Sequence, residues 1–217
     1  MSSNDVNALV AALKATMEVA FEPVKDLVQK VAGPAAEEIG LTLRDHVRQF
    51  RFKGEIHLWT RTKEMLEEAG ISPKHVPLKL LFPLIQNATL EEDESLQDKW
   101  AALLANSCKE GNEILPSFPE TLKQITPTEA KFLDRAYDEI SDGGHGPKHP
   151  IQESMLIAAS DVMIADLERL GLIDRYMEDT QFTSSLKHHT FGPTNHLFVS
   201  YFGREFIRAC RPPRTRL

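Results

Sequence analysis

The apolar residues among the first 31 positions recur at alternating steps of three and four. This spacing places their side chains on one face of a helix. Pro23 interrupts the pattern, so two helices or one kinked helix are predicted. Because such spacing sustained over about four heptads can drive self-association, the pattern predicts a self-association face formed by Val10, Leu13, Met17, Val24, Leu27 and Val31. The alternative is that this face packs on the next helix.

A long second helix is predicted after Gly33, which ends the first helical segment, and Pro34, which suits a first helical position. Its apolar stripe continues until Gly70, which gives about 36 residues and roughly 54 Å at the helical rise. Gly54 is the weak point of this helix, because glycine lowers helix stability.

Two shorter helices complete the predicted first domain. One covers residues 77–88, and the other follows the acidic run at 91–94 with a buried stripe of Leu96, Trp100, Leu103 and Leu104. Together with the long helix they predict an N-terminal helical bundle over residues 1–115. Prolines in the following segment predict a linker over residues 116–125.

The C-terminal region opens with a strong helix-start pattern. Thr126, Pro127 and Glu129 occupy the N-cap, first and third helical positions, where a hydroxyl, a proline and a carboxylate are each favourable. Further helices are predicted over 150–158, 161–170 and 203–210, with strands over 172–176 and 196–201. Three helices followed by a two-stranded β-ribbon predict a winged helix-turn-helix-like domain over residues 126–217. The fold class is therefore mainly α.

Composition narrows the class of protein. The 217 residues are 41% hydrophobic and 26% charged, as in ordinary globular proteins. No stretch reaches the roughly 18 uncharged apolar residues that a membrane-spanning helix needs. Residues 1–7 lack the pattern of a secretory signal, and two cysteines cannot form a disulfide framework. A cytoplasmic location is expected.

The net charge of −7 divides into −5 for residues 1–125 and −2 for residues 126–217, so neither half is basic enough for a dedicated duplex binder. Local basic features remain. Arg44, Arg48 and Arg51 fall four and three apart, which places them in a row on one helix face. With that row, possible anion or nucleic-acid contacts are Lys53, Arg211, Arg214 and Arg216. A solvated surface is the favoured interpretation of both groups.

The third helix of the predicted winged domain is acidic. It carries Asp161, Asp166 and Glu168 against a single Arg169. In winged helices that bind DNA, the corresponding helix lies in the major groove beside phosphates. An acidic helix would repel those phosphates, so docking to a protein or a purely structural role is predicted in preference to sequence-specific DNA binding.

Signatures of catalysis and metal binding are missing from the sequence. There is no His-Glu-x-x-His helix, Cys-x-x-Cys pair, nucleophile elbow or phosphate loop. The histidines at positions 145, 149, 188, 189 and 196 fit polar loops better than a metal site. We expect no enzyme activity, no cofactor, no metal and no small-molecule substrate.

Several segments together resemble one known family. They are Gly33-Pro34 with Glu38 and Gly40, Arg51-Phe52-Lys53, Val76-Pro77-Leu78-Lys79, residues 96–106 around Trp100, and Phe202-Gly203-Arg204-Glu205-Phe206 through Cys210. Over residues 30–210 the chain resembles the Abi-alpha (abortive-infection alpha) family of bacterial proteins. The resemblance implies a bacterial or prophage-borne accessory protein associated with phage resistance, and it supplies no catalytic residues.

These observations lead to an expected function and two alternatives. The expected function is a non-enzymatic phage-defence effector or adaptor that acts through protein–protein contacts and self-association. The first alternative is a nucleic-acid-binding regulator that uses the basic stretch 44–53 and the arginine tail. The second is a membrane-damaging toxin built on the N-terminal helices, although their polar face lacks the Lys and Arg excess that favours a membrane surface.

Overall fold

The computed structural model describes residues 26, 27, 30, 49–142, 150–177 and 195–213. In this part of the chain the structure is mainly helical with one small antiparallel sheet, which confirms the mainly α prediction at that level. The helices are α1 Gln49–Glu68, α2 Leu78–Ala88, α3 Glu94–Ser107, α4 Ser117–Leu122, α5 Pro127–Asp142, α6 Glu153–Ala158, α7 Asp161–Arg169 and α8 Tyr201–Ala209. The strands are β1 Ile173–Met177 and β2 Asn195–Val199.

The described residues form two compact units. The first contains residues 49–124 together with 209–213, and the second contains residues 125–208. The segment 116–125, predicted as a linker, contains α4, in which Phe118 and Leu122 are buried. Pro116 and Pro119 are compatible with this helix because they occupy its N-cap and first turn, where a proline forfeits no intrahelical hydrogen bond.

Helix α3 is the centre of the first unit. The predicted stripe of Leu96, Trp100, Leu103 and Leu104 is buried, and so are Ala101, Ala102 and Ala105 on its other sides. From Trp100 to Ser107 every residue of α3 is buried, which is typical of a helix in an interior position. Asp93 caps its start by accepting hydrogen bonds from the backbone N–H groups of Ser95 and Leu96, at 2.9 and 3.2 Å.

Helix α1 packs along α3 and ends where the sequence predicted. Gly70, at φ +64°, follows its last turn in the left-handed conformation that favours glycine. Thr62 is buried and donates to the carbonyl oxygens of Leu58 at 2.7 Å and Ala101 at 3.3 Å. At the edge of the contact, Arg61 Nε donates to Asp98 Oδ1 at 2.8 Å. The predicted start of this helix near residue 34 lies outside the described residues.

Gly54 is the residue that the sequence indicated as a weak point, and it lies inside α1. A Cβ added to Gly54 would lie 3.2 Å from the carbonyl oxygen of Thr89, at the end of α2. A glycine here lets the backbones of α1 and the α2 terminus approach closely. This close approach compensates for the lower helix propensity of glycine.

Asn106 fastens the last described residues of the chain to α3 inside the first unit. Its Nδ2 lies 3.0 Å from Ala102 O, 3.0 Å from Ala209 O and 2.8 Å from Arg211 O. Two amide protons are shared among these three acceptors, so at least one hydrogen bond is bifurcated. A single side chain thereby satisfies the carbonyl groups on both sides of Cys210.

Asn106→Leu is expected to destabilise the first unit by about 2 kcal/mol, because the substitution leaves buried carbonyl groups without their donor. Urea unfolding followed by circular dichroism measures the change. Ser107→Ala is the matched control, since the Ser107 hydroxyl is also buried but donates to Leu103 O in its own helix. Equal losses for the two variants would contradict a special role for Asn106.

The second unit begins with the capping arrangement that the sequence predicted. Glu129 Oε2 accepts from Thr126 N at 2.7 Å, and Glu129 N donates back to Thr126 Oγ1 at 3.3 Å. The reciprocal pair fixes the start of α5. The apolar face of this helix is buried and consists of Phe132, Leu133, Ala136 and Ile140.

Helices α6 and α7 and the ribbon follow in the predicted order. Ser160 caps α7 by accepting from Met163 N at 3.2 Å, and Gly171 follows that helix at φ +70°. The strands pair antiparallel in a register that sets Ile173 opposite Val199. The first strand starts one residue later than predicted because the N–H of Leu172 is used by the helix end, where it donates to Leu167 O at 2.9 Å.

Ser200 and Gly203 join the ribbon to α8. Ser200 Oγ accepts from Gly203 N at 2.7 Å and donates to Gly171 O, so α8 begins at Tyr201, two residues before the predicted start. A Cβ at Gly203 would overlap the carbonyl oxygen of Leu172 and would lie 2.9 Å from its carbonyl carbon. The missing side chain at Gly203 therefore permits the first turn of α8 to rest directly on the chain that enters β1.

Candidate functional site

The helix pair α6 and α7 exposes apolar side chains on both sides of the short turn at Ala159 and Ser160. Ile157 is 79% exposed and Val162 is 80% exposed. Burying one such side chain stabilises a protein or complex by about 1.5–3 kcal/mol. Ala158 and Ala165 are exposed on the same two helices. Apolar residues grouped in this way are typical of a surface that binds another macromolecule.

Acidic residues are exposed on the same two helices and on the strand that follows them. Glu153 and Asp161 are exposed in the first turns of α6 and α7, and Asp174 is exposed in β1, which packs against α7. Residues 153–175 carry five carboxylates and two arginines, a net charge of −3. The α6–α7 surface is defined as Ile157, Ala158, Val162 and Ala165 with Glu153, Asp161 and Asp174.

Both arginines beside this surface are engaged in ion pairs. Arg169 Nε lies 2.8 Å from Asp166 Oδ1. Arg175 donates to the two carboxylate oxygens of Glu168 at 2.8 and 3.1 Å. These hydrogen bonds lower the pKa of Glu168 and raise the pKa of Arg175, so both groups stay charged and paired at neutral pH. A phosphate would have to compete with these carboxylates for either guanidinium.

The basic residues selected from the sequence fall mostly outside the described part of the chain. Arg44, Arg48, Arg214 and Arg216 lie outside the described residues, as do the side chains of Arg51 and Lys53 in α1. Arg211 is half-buried, and its carbonyl oxygen accepts from Asn106. The row on one helix face and the basic tail therefore stay predictions.

The predicted self-association face also falls mostly outside the described residues. Five of its six residues, namely Val10, Leu13, Met17, Val24 and Val31, lie outside the described residues. The sixth, Leu27, is buried.

Glu55 is a buried ionisable residue that the sequence analysis did not select. It is 1% exposed in α1, and its Oε1 has no hydrogen-bond partner in the structure. Burial raises the pKa of Glu55 from 4.5 to about 7, while the nearby Trp59 indole lowers it without reaching good hydrogen-bond geometry. A signal was available, because Glu55 precedes the buried Leu58, Thr62 and Met65 by helical steps of three and four.

The described residues also bear on metal sites and on membrane-spanning helices. In the described ranges, no group of three or more His, Cys, Asp or Glu side chains is arranged to hold a metal ion. None of the helices in those ranges combines the length and the apolar character needed to cross a membrane.

Comparison with known families decides the affiliation of the chain. A family model described as abortive infection alpha matches residues 53–210, which is more than half of the chain. The chain belongs to the abortive infection alpha family. The match confirms the resemblance drawn from the sequence, although it begins at Lys53 and not near residue 30. No curated protein and no solved structure matches the chain.

The matched range contains the residues that organise both units of this abortive infection alpha protein. Asn106 and Gly203 fall inside it, and so does the whole α6–α7 surface. Membership supports a role related to abortive infection.

Proposed function

We propose that this abortive infection alpha protein is a non-enzymatic effector or adaptor of phage defence that acts by binding a protein through its α6–α7 surface. The observation that carries the proposal is the exposure of Ile157 and Val162 beside arginines that are already ion-paired. An apolar centre gains free energy when a partner covers it.

The order of helices and strands in the second unit supports a winged helix-turn-helix-like arrangement for this surface. In that arrangement α6 and α7 are the helix pair, and β1 and β2 are the wing. A DNA-reading helix needs free donors and basic groups toward phosphates and base edges. Helix α7 instead exposes Asp161, Val162 and Ala165. Its chemistry favours a protein partner.

The partner that fits this surface combines apolar and basic side chains. It presents apolar side chains to Ile157 and Val162, and basic side chains to the acidic residues around them. Such a pairing buries apolar side chains at the centre of the interface. The opposite charges at its rim raise the association rate and the specificity. We assign no substrate, cofactor or catalytic residue to the protein.

The double variant Ile157→Lys/Val162→Lys is expected to abolish phage protection, because two lysines replace the apolar centre. The measurement is the efficiency of plating of a phage that the wild-type protein restricts. Leu90→Lys/Leu115→Lys is the matched control, since it places two lysines on side chains that are 50% and 47% exposed in the other unit. Circular dichroism melting verifies that each variant folds. Full protection by the folded double variant would contradict the proposal.

The nucleic-acid alternative has its own measurement. Fluorescence anisotropy with duplex DNA, single-stranded DNA and RNA at low salt tests for phosphate binding. Binding that weakens with salt, and with a smaller salt slope after Arg51→Gln, would favour the regulator over the adaptor. Binding to none of the three is the expected result.

Self-association is part of the proposal, and the N-terminal face predicted from the sequence is one possible contact. Light scattering of the full chain and of a chain lacking residues 1–31 tests that contact. We expect the full chain to form particles that contain more copies than those of the shortened chain. A strict monomer in both cases would contradict this part of the proposal.

A further inference from the structure

Helix α2 exposes a second apolar group, in the first unit. Leu78 is 48% exposed and Phe82 is 50% exposed, and their spacing of four residues places them on one helix face. The opposite side of α2 is buried through Leu80, Leu81, Leu84, Ile85 and Ala88. Since α2 is apolar on both sides, its exposed side is also suited to burial.

The stretch of sequence that contains this group has a charge opposite to that of the protein as a whole. Residues 69–90 contain no Asp or Glu, although the chain has a net charge of −7. They contain Lys74, His75 and Lys79, of which His75 and Lys79 are exposed. Lys79 lies three residues before Phe82 on the same helix. The α2 surface is defined as Leu78 and Phe82 with Lys74, His75 and Lys79.

The α2 surface and the α6–α7 surface are complementary in two respects. Each contributes two large exposed apolar side chains: Leu78 and Phe82 on one, Ile157 and Val162 on the other. The charges are opposite, with two lysines and no carboxylate in residues 69–90 and a net charge of −3 in residues 153–175. Opposite charge around apolar centres is the pattern of specific protein interfaces.

We propose that the α2 surface of one copy of this protein binds the α6–α7 surface of a second copy. The inference rests on the proposed function and names the partner of that surface. Because the two surfaces differ, the contact is head-to-tail, and repetition closes into a ring or extends into a filament. Assembly then depends on protein concentration, so the abundance of the protein controls the amount of assembly.

Charge reversal in separate copies tests the contact. In Lys74→Glu/Lys79→Glu the α2 surface becomes acidic, and in Glu153→Lys/Asp161→Lys the α6–α7 surface becomes basic. Each variant alone carries two surfaces of like charge, so it is expected to associate at least about tenfold more weakly than the wild type and to shift toward the 24.5 kDa monomer. An equimolar mixture again pairs acidic with basic surfaces and is expected to associate. Sedimentation velocity measures the masses.

Controls separate the contact from general charge and from folding. Lys131→Glu/Arg135→Glu changes net charge by the same amount as the α2 variant but lies at exposed positions of α5, in the second unit. It is expected to associate like the wild type. In the α2 variant, by contrast, the dissociation constant is expected to rise by about tenfold or more. Thermal melting verifies that every variant folds.

Two results would overturn the inference: a wild-type protein that stays monomeric at all concentrations, or a mixture of the two reversed variants that associates no more strongly than either variant alone. A monomeric wild type would also remove the self-association part of the proposed function, but neither result affects its protein-binding part, whose test is phage protection by Ile157→Lys/Val162→Lys. Conversely, association of the mixture together with full protection by that double variant would sustain the contact and contradict the proposed function.

Discussion

Gly203→Ala is expected to destabilise the protein by about 3 kcal/mol, the upper part of the range for overpacking a well-packed site. The added methyl group would overlap the carbonyl oxygen of Leu172, which is a backbone atom that cannot rotate away. Either the first turn of α8 or the start of β1 must move. Helix propensity alone predicts the opposite sign, since alanine is favoured over glycine in a helix by about 1 kcal/mol.

Urea unfolding of Gly203→Ala beside Gly54→Ala separates these two effects. Both glycines are helical, but at Gly54 the nearest atom to an added Cβ lies 3.2 Å away. We expect Gly54→Ala to be close to neutral, because a small steric cost offsets the gain in helix propensity. Stabilisation by Gly203→Ala would contradict a close contact between α8 and the Leu172 carbonyl group.

Glu55→Gln is expected to stabilise the protein at pH 8 and to have little effect at pH 5. In the unfolded chain the Glu55 carboxyl has a pKa near 4.5, and burial raises it to about 7 in the folded protein. Between these values the folded protein holds a proton that the unfolded chain has released. The free energy of unfolding therefore falls as pH rises from 4.5 to 7, by about 3 kcal/mol in all. The amide of the variant is neutral throughout and avoids this loss.

The measurement is the difference in free energy of unfolding between Glu55→Gln and the wild type at pH 5, 6, 7 and 8. Taking the difference removes the contribution of the other titrating groups. Glu68→Gln is the matched control, because Glu68 is an exposed carboxylate at the end of the same helix. A difference for Glu55→Gln that stays constant with pH would contradict a protonated, buried carboxyl.

The helix ends were predictable because their determinants are local. Thr126 and Glu129 lie three residues apart, and their reciprocal hydrogen bonds need only one turn of helix. Gly70 and Gly171 have the left-handed conformation, and each directly follows or lies at the helix end that the sequence predicted. Such short-range geometry depends little on the rest of the protein.

Long-range contacts could not be predicted in this way. The hydrogen bonds from Asn106 to Ala209 and Arg211 span more than one hundred residues, and no local pattern pairs them. Gly203 carried no sequence signal for its contact with Leu172, because that contact depends on where the ribbon ends. A polar residue such as Asn106 reads as an ordinary helix position until its acceptors are known.

The candidate site was predictable in its charge and not in its apolar centre. The carboxylates of α7 were evident from the sequence and led to the expectation of a protein partner. Ile157 and Val162 have the same character as core residues, so the pattern cannot tell which apolar side chains remain exposed. Whether an apolar side chain is buried or exposed depends on its position in the folded unit. The contacts selected from the basic stretch and the N-terminal stripe stay predictions.

The hydrogen bonds from Asn106 to the end of α8 and the chain beyond it affect how the two units can be expressed separately. A gene fragment that stops at codon 124 would encode α1 to α4 without the carbonyl groups that Asn106 binds. Its product would need codons 209–213 fused behind residue 124 through a flexible connector. The complementary piece, 125–208, is one uninterrupted stretch and needs no such repair.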